Sequence, residues 1–303
     1  MPQLLNVTDL FTLIDDISFK VLGAILVKLT GTAPVGMKYY KGTHGLDCFL
    51  KFQEAISYLQ RMTLAGTHQA QQIAEECLAM CPEIPTSYRI MALVYLNYYW
   101  YDSSKSPGEN IEKAIEFSQK TLALDDNNGL AHGTLSQVYL QKREYDAAIA
   151  EGERAVSLDP GSPWTAFQYA KALVYTGRPE EAIPLLEKAI RLNPLAPSPF
   201  YNDLGLAFRL TGRLEKAAEL YKKSLARAPN DFWMHAALAT VYIMMGRDEE
   251  ARAAAIEVLR INPRFSLEWY AKRSLLKDRS VIDKTVDALR KAGLPDKPPP
   301  AQP

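Results

Sequence analysis

Apolar residues along this 303-residue chain fall at helical spacing, and the helices they predict recur in pairs. The phrases AVSLDP, AIRLNP, SLARAP and VLRINP end at or carry Pro160, Pro194, Pro229 and Pro263, at intervals of 34, 35 and 34 residues. TLALDD, residues 121–126, ends 34 residues before the first of these prolines. A fixed period of this length predicts a solenoid, in which each helix pair buries its apolar face by stacking on the next.

With the closing proline counted as position 32, small residues hold three positions of the period. Position 8 is Ser136, Ala170, Gly205 and Ala239; position 20 is Ala148, Ala182, Ala217 and Ala251. Position 27 is Ala155, Ala189, Ser224 and the larger Val258. Large residues recur beside them, with Leu135, Tyr169, Leu204 and Leu238 at position 7 and Tyr139, Leu173, Phe208 and Tyr242 at position 11. Small against large at helical spacing is what interdigitated helices require. Gly177-Arg178, Gly212-Arg213 and Gly246-Arg247 share one register, held by Arg143-Glu144 in the earlier repeat. There glycine accepts the left-handed backbone that ends a helix. The closing proline stops the second helix, and Ser162-Pro163 and Ser198-Pro199 read as N-caps followed by proline in the first turn.

Residues 129–263 therefore read as four regular repeats, preceded by two irregular ones over 46–128. The second irregular repeat carries the insert Tyr99-Trp100-Tyr101-Asp102-Ser103-Ser104-Lys105, and Ser106-Pro107-Gly108-Glu109 is a capping-box pattern that restarts a helix. Residues 264–294 supply capping helices, and the proline-rich stretch 295–303 is expected to be a disordered tail. Residues 1–45 hold an amphipathic helix and a connector; Leu10, Ile14, Ile17, Val21, Ile25 and Leu29 form the apolar face. Lys20 and Lys28 interrupt that stretch, so it predicts no membrane span. Its apolar face over 9–29 offers a docking surface either for another copy of the chain, giving a homo-oligomer, or for a separate domain.

Lysine plus arginine balances aspartate plus glutamate at 35 each, which argues against nucleic acid as a partner. Three cysteines, an odd number, predict no disulfide framework and a reducing, cytoplasmic compartment. Cys77 and Cys81 share one helix face, but no further ligands follow at metal spacing, so packed thiols are the expectation rather than a metal site. His132 and His235 occupy position 4 three repeats apart, too far to share a metal, and read as structural. Asp125-Asp126-Asn127-Asn128-Gly129 lacks the terminal glutamate of a calcium loop and reads as a turn. No phosphate-binding loop, nucleophile elbow or dinucleotide fingerprint occurs, so neither a cofactor nor catalysis is expected. Tyr95, Tyr98, Tyr99, Trp100 and Tyr101 exceed what one helix face can bury. They read either as packing beneath the insert or against the N-terminal helix, or as an aromatic wall that contacts a ligand.

These periodic residues resemble the tetratricopeptide repeat family. The resemblance implies an all-α fold, a right-handed superhelix (α-solenoid) of about six helix-turn-helix repeats with an N-terminal helix and a C-terminal capping helix. It also implies a groove lined by the first helix of each repeat, where a peptide or helix of a protein partner binds. Carried onto this chain, the groove positions are Arg89, Leu93, Asn97, Gln137, Gln141, Trp164, Phe167, Lys171, Tyr175, Asn202, Arg209, Trp233, Thr240 and Met244. The lysine/asparagine carboxylate clamp of the chaperone-tail-binding members does not occur at matching positions.

Residues 9–31, 100–126 and 249–296, the last containing the motif KAGLP, are similar to a narrower group. These are the C-terminal halves of bacterial proteins that join a class III adenylate/guanylate cyclase domain to a TolB-like domain and a repeat array. That likeness implies a regulatory or docking role in signalling. No segment resembles the cyclase catalytic domain.

Overall fold

The computed structural model describes residues 17, 21, 45–101 and 106–298. Its described residues form an all-helical array running α1 (Gly45–Leu59), α2 (Leu64–Met80), α3 (Pro85–Tyr101), α4 (Pro107–Leu124), α5 (Gly129–Lys142), α6 (Tyr145–Leu158) and α7 (Pro163–Tyr175). It continues through α8 (Pro179–Leu192), α9 (Ser198–Leu210), α10 (Leu214–Leu225), α11 (Phe232–Met244), α12 (Asp248–Ile261), α13 (Leu267–Arg273) and α14 (Arg279–Lys291). Through α12, each odd-numbered helix packs against the even one that follows, and each pair stacks on the next. This is the α-solenoid that the period predicts.

The small residues sit at the seams. Ala148, Ala182, Ala217 and Ala251 are all fully buried, and the Ser136 hydroxyl donates to the Ala148 carbonyl at 2.7 Å, joining positions 8 and 20. At Gly205 an added Cβ would stand 2.6 Å from the Tyr221 ring. Ala182→Leu is expected to overpack such a seam and lower stability by about 1–3 kcal/mol, read as a shifted urea midpoint. The turn register holds as well: Gly177, Gly212 and Gly246 have φ of +90°, +76° and +72°, and Arg143 takes +64° in the equivalent place. Arg143 bears the steric cost that glycine avoids.

Helix starts follow the sequence less closely. Ser162 caps α7 by accepting from the Trp164 amide at 3.3 Å. In α9, Ser198 already lies inside the helix and Pro197 holds the cap position. Ser106 precedes α4, but its side chain makes no capping hydrogen bond.

Two expectations are corrected. Cys48 of α1 is disulfide-bonded to Cys81 at the end of α2, with their Cα atoms 6.5 Å apart. An odd cysteine count leaves one thiol over but does not prevent a pair. Cys77 is the remaining thiol, buried beside the Ser87 hydroxyl at 3.6 Å, and burial pushes its pKa up.

The second correction lies at the C-terminus. Pro295 and Asp296 are not free: their carbonyls accept from the Leu267 and Glu268 amides at 2.9 and 3.2 Å, and Asp296 pairs with Arg290. Residues 299–303 of the expected tail lie outside the described residues. So does the 9–29 segment apart from Ile17 and Val21, both helical and exposed, and so do insert residues 102–105.

The C-terminal helix does more than close the last repeat. α14 packs on α11 and α13, and Thr285 on it accepts from the Arg209 guanidinium of α9 at 3.0 Å. Between α13 and α14 the chain runs without helix from Ser274 to Asp278.

Candidate functional site

First helices of successive repeats, α1, α3, α5, α7, α9 and α11, supply the walls of a groove whose cavity measures about 510 Å³. The solenoid places them there because each odd helix turns one face to its own second helix and another to the common interior. Of the groove residues predicted from the sequence, all but Met244 line this cavity. Met244, the last residue of α11, is half-exposed and does not line it.

The predicted residues divide by what their polar atoms already do. The Asn97 amide donates to the Leu59 carbonyl at 3.2 Å, Gln137 to Gln168 at 3.1 Å and Gln141 to Leu96 at 3.1 Å. These side chains staple one repeat to the next, and their donors are spent within the fold. Farther along, Trp164, Phe167 and Phe200 form an aromatic cluster, with Phe167 stacked on Phe200 at 4.4 Å between ring centres. Lys171 lies 4.0 Å from the Asp203 carboxylate, 6.0 Å from the Trp100 ring and 5.8 Å from the Tyr175 ring.

Several buried polar atoms of residues lining the groove have no hydrogen-bond partner within the fold: Gln168 Oε1, Asn202 Oδ1, Arg209 Nε and Trp233 Nε1. A buried donor or acceptor without a partner is costly. An interior that keeps both kinds along one wall is chemically matched to a guest carrying both, as a peptide backbone does.

Burial also governs ionisation here. Desolvation raises the Asp203 carboxyl to about 6 against the opposing effect of Lys171, and Asp231 to about 7 despite hydrogen bonds from the Trp233 and Met234 amides and Asn202. It pushes the Tyr221 hydroxyl up to about 12 and the Tyr175 hydroxyl well above its ordinary value, so both stay neutral donors.

The aromatic run divides between the packed interior and the groove. Tyr99 packs inward on the Trp100 edge, while Trp100 crosses the groove to meet Trp233 edge-on at 5.3 Å. Tyr101 likewise meets Phe232 at 6.2 Å. Trp100 and Tyr101 are thus groove residues outside the set predicted by repeat position. Asp203 and Gln168 were also missed, although they hold one register on neighbouring first helices. Leu275 and Leu276 line the cavity from the non-helical segment after α13, where periodicity carries no signal.

His132 and His235 are both engaged within the fold. His132 holds Glu151 through Nδ1 at 2.6 Å and the Asp126 carbonyl through Nε2 at 3.0 Å, and His235 meets the Pro229 carbonyl at 3.1 Å. Among the described residues no group of three metal-ligating side chains gathers, and no helix is long and apolar enough to cross a membrane.

Comparison with known proteins agrees with this geometry. One tetratricopeptide repeat model matches residues 110–163 and 168–232, and a second matches 209–276. Over 129 residues the chain is 31% identical to the cytochrome c-type biogenesis protein CycH of Rhizobium meliloti, covering 41% of this chain and 33% of that protein. It is 28% identical over 130 residues to cellulose synthase operon protein C of Pseudomonas fluorescens, covering 41% of this chain and 10% of that one. The chain thus spans a third or less of these relatives.

Among solved structures, the Cut9–Hcn1 hetero-tetramer of the APC/C superposes with a TM-score of 0.59 at 15% identity, over 94% of this chain and 48% of that one. PilW, a type IV pilus biogenesis factor, superposes with a TM-score of 0.50 at 19% identity, over 68% of this chain and 90% of that one. Periodicity, paired helices and the two matching models lead to one assignment: the chain belongs to the tetratricopeptide repeat family.

Proposed function

We propose that this chain is a non-enzymatic interaction module that binds an extended segment of a protein partner in its groove. The observation that supports the reading is the union of aromatic walls with unpartnered buried donors and acceptors in one cavity of about 510 Å³. A helix has already paired most of its backbone donors and acceptors within itself, whereas an extended segment offers them to the groove, so the extended segment is favoured over the helix. Aromatic side chains supply apolar anchoring, and Lys171, Asn202 and Arg209 supply polar register.

The link to cyclase-type signalling remains a proposal resting on the sequence likeness at 9–31, 100–126 and 249–296. Compartment is a separate matter. The Cys48–Cys81 bond favours an oxidising compartment over the cytoplasm expected from the cysteine count.

A test uses the full chain, immobilised and panned against a library of random peptides about a dozen residues long. Recovered peptides are then measured by fluorescence anisotropy. Trp164→Ala and Lys171→Glu are each expected to weaken binding at least about tenfold, equivalent to about 1.4 kcal/mol. Unchanged affinity in both variants would remove the groove as the binding site.

A further inference from the structure

The end of α13 and the segment after it are seated in the groove as a guest would be. Their covalent neighbours belong to the last repeats, yet their contacts lie on α3, α5, the α5–α6 turn, the start of α6, and α7. Leu275 is 1% exposed and packs among Leu96, Tyr99, Val138 and Leu140. Its carbonyl accepts from the Tyr145 hydroxyl at 3.2 Å, and the Lys272 carbonyl accepts from the Arg143 guanidinium at 2.8 Å. The Lys277 amide donates to the Tyr175 carbonyl at 2.9 Å.

Charged side chains flank the apolar pair. The Arg273 guanidinium stands 5.0 Å over the Tyr99 ring, and the Lys277 ammonium 5.6 Å over the Tyr145 ring. Backbone carbonyls held by side-chain donors, a backbone amide held by a carbonyl, and cations on aromatic faces together form a recognition set for an extended chain. Regular solenoid packing requires none of them, because each repeat is stabilised by its neighbours.

We propose that Arg273–Lys277 is a built-in occupant of a peptide site, and that the partner fitting this end of the groove is an extended segment with two consecutive apolar residues between basic ones. A partner with that chemistry displaces the strap and takes over its contacts. The inference rests on the groove-binding reading and adds the occupant's chemistry and a means of regulation.

The test uses the full chain and a fluorescein-labelled peptide copying residues 271–279, AKRSLLKDR. In the double variant Leu275→Asp, Leu276→Asp the strap is expected to leave, and the peptide to bind at least about tenfold more tightly than to the unaltered protein. A control peptide with the leucine pair replaced by aspartates should bind neither. A folded double variant, by circular dichroism, with the peptide affinity of the unaltered protein overturns the proposal.

If the double variant does not fold, hydrogen exchange of the Lys277 amide in the unaltered protein decides. Exchange through an opening far more frequent than global unfolding supports a displaceable strap, and exchange only at the global limit refutes it. Panned peptides play no part in this test. The groove reading can therefore fail while the strap opens and binds its own copy, and the strap can prove permanent while panned peptides still bind.

Discussion

Raising the pH from 5 to 8 is expected to lower the stability of this protein by several kcal/mol, a direction set by two buried aspartates. Asp231 is 1% exposed and its carboxyl is raised to about 7; Asp203 is 4% exposed and raised to about 6. In the unfolded chain both return to near 4. Between those values the folded state holds protons that the unfolded state has released, so stability falls as pH rises. The contribution is fully present below the unfolded value and is lost once pH has passed through about 6 for Asp203 and about 7 for Asp231.

From pH 5 to its folded value of about 7, Asp231 alone loses about 3 kcal/mol. The exposed carboxylate Glu116, lowered to about 2 by Lys113 and Lys120, acts in the opposite sense but only at acid pH. Urea unfolding at pH 5, 6, 7 and 8 reads the slope. Asp231→Asn keeps a capping acceptor for the Trp233 amide and removes the titration, so its profile should lose most of the decline above pH 6. An unaltered protein with the same urea midpoint at pH 5 and pH 8 contradicts the assignment.

The same two aspartates show where sequence reading stops. The period locates first helices and their inward positions, which is why Trp164, Lys171 and Arg209 could be placed in one groove without coordinates. Gly177, Gly212 and Gly246 were legible for a related reason, since a helix stop in a fixed register needs a left-handed residue. Asp203 and Asp231 look in sequence like ordinary polar residues near helix starts; burial makes them unusual, and burial is a sum over distant neighbours.

The contacts that shape the groove are equally non-local. Trp100 meets Trp233, and Leu275 meets the Tyr145 hydroxyl, across intervals that no single period links. A solenoid's sequence encodes contacts between neighbouring repeats. Contacts across its interior depend on the accumulated curvature of several repeats, to which each repeat contributes only a small rotation.

Reduction of Cys48–Cys81 is the other change with a large expected effect. The bond joins residues 33 apart, and in the chain-entropy account closing a loop of that length stabilises the fold by about 4 kcal/mol. In a compact domain the loss would spread through one cooperative unit. Here α1 packs on α2 and α3, so the loss should concentrate in the first repeat.

Hydrogen exchange after treatment with dithiothreitol is expected to accelerate over 45–80 and to change little over 129–261. A Cys48→Ser, Cys81→Ser variant should behave like the reduced protein without reductant. Cys77 provides no substitute, since its thiol is buried and its raised pKa keeps it protonated. Uniform acceleration along the chain would show that the array unfolds as one unit, and no acceleration anywhere would show that the bond adds nothing.

The location of the loss carries a functional consequence. Phe52, Ile56 and Leu59 of α1 form one end of the groove, while Trp164, Lys171 and Arg209 sit on repeats that the bond does not touch. Reduction should therefore weaken binding of segments long enough to reach α1, and leave shorter segments held between α7 and α11 almost unaffected.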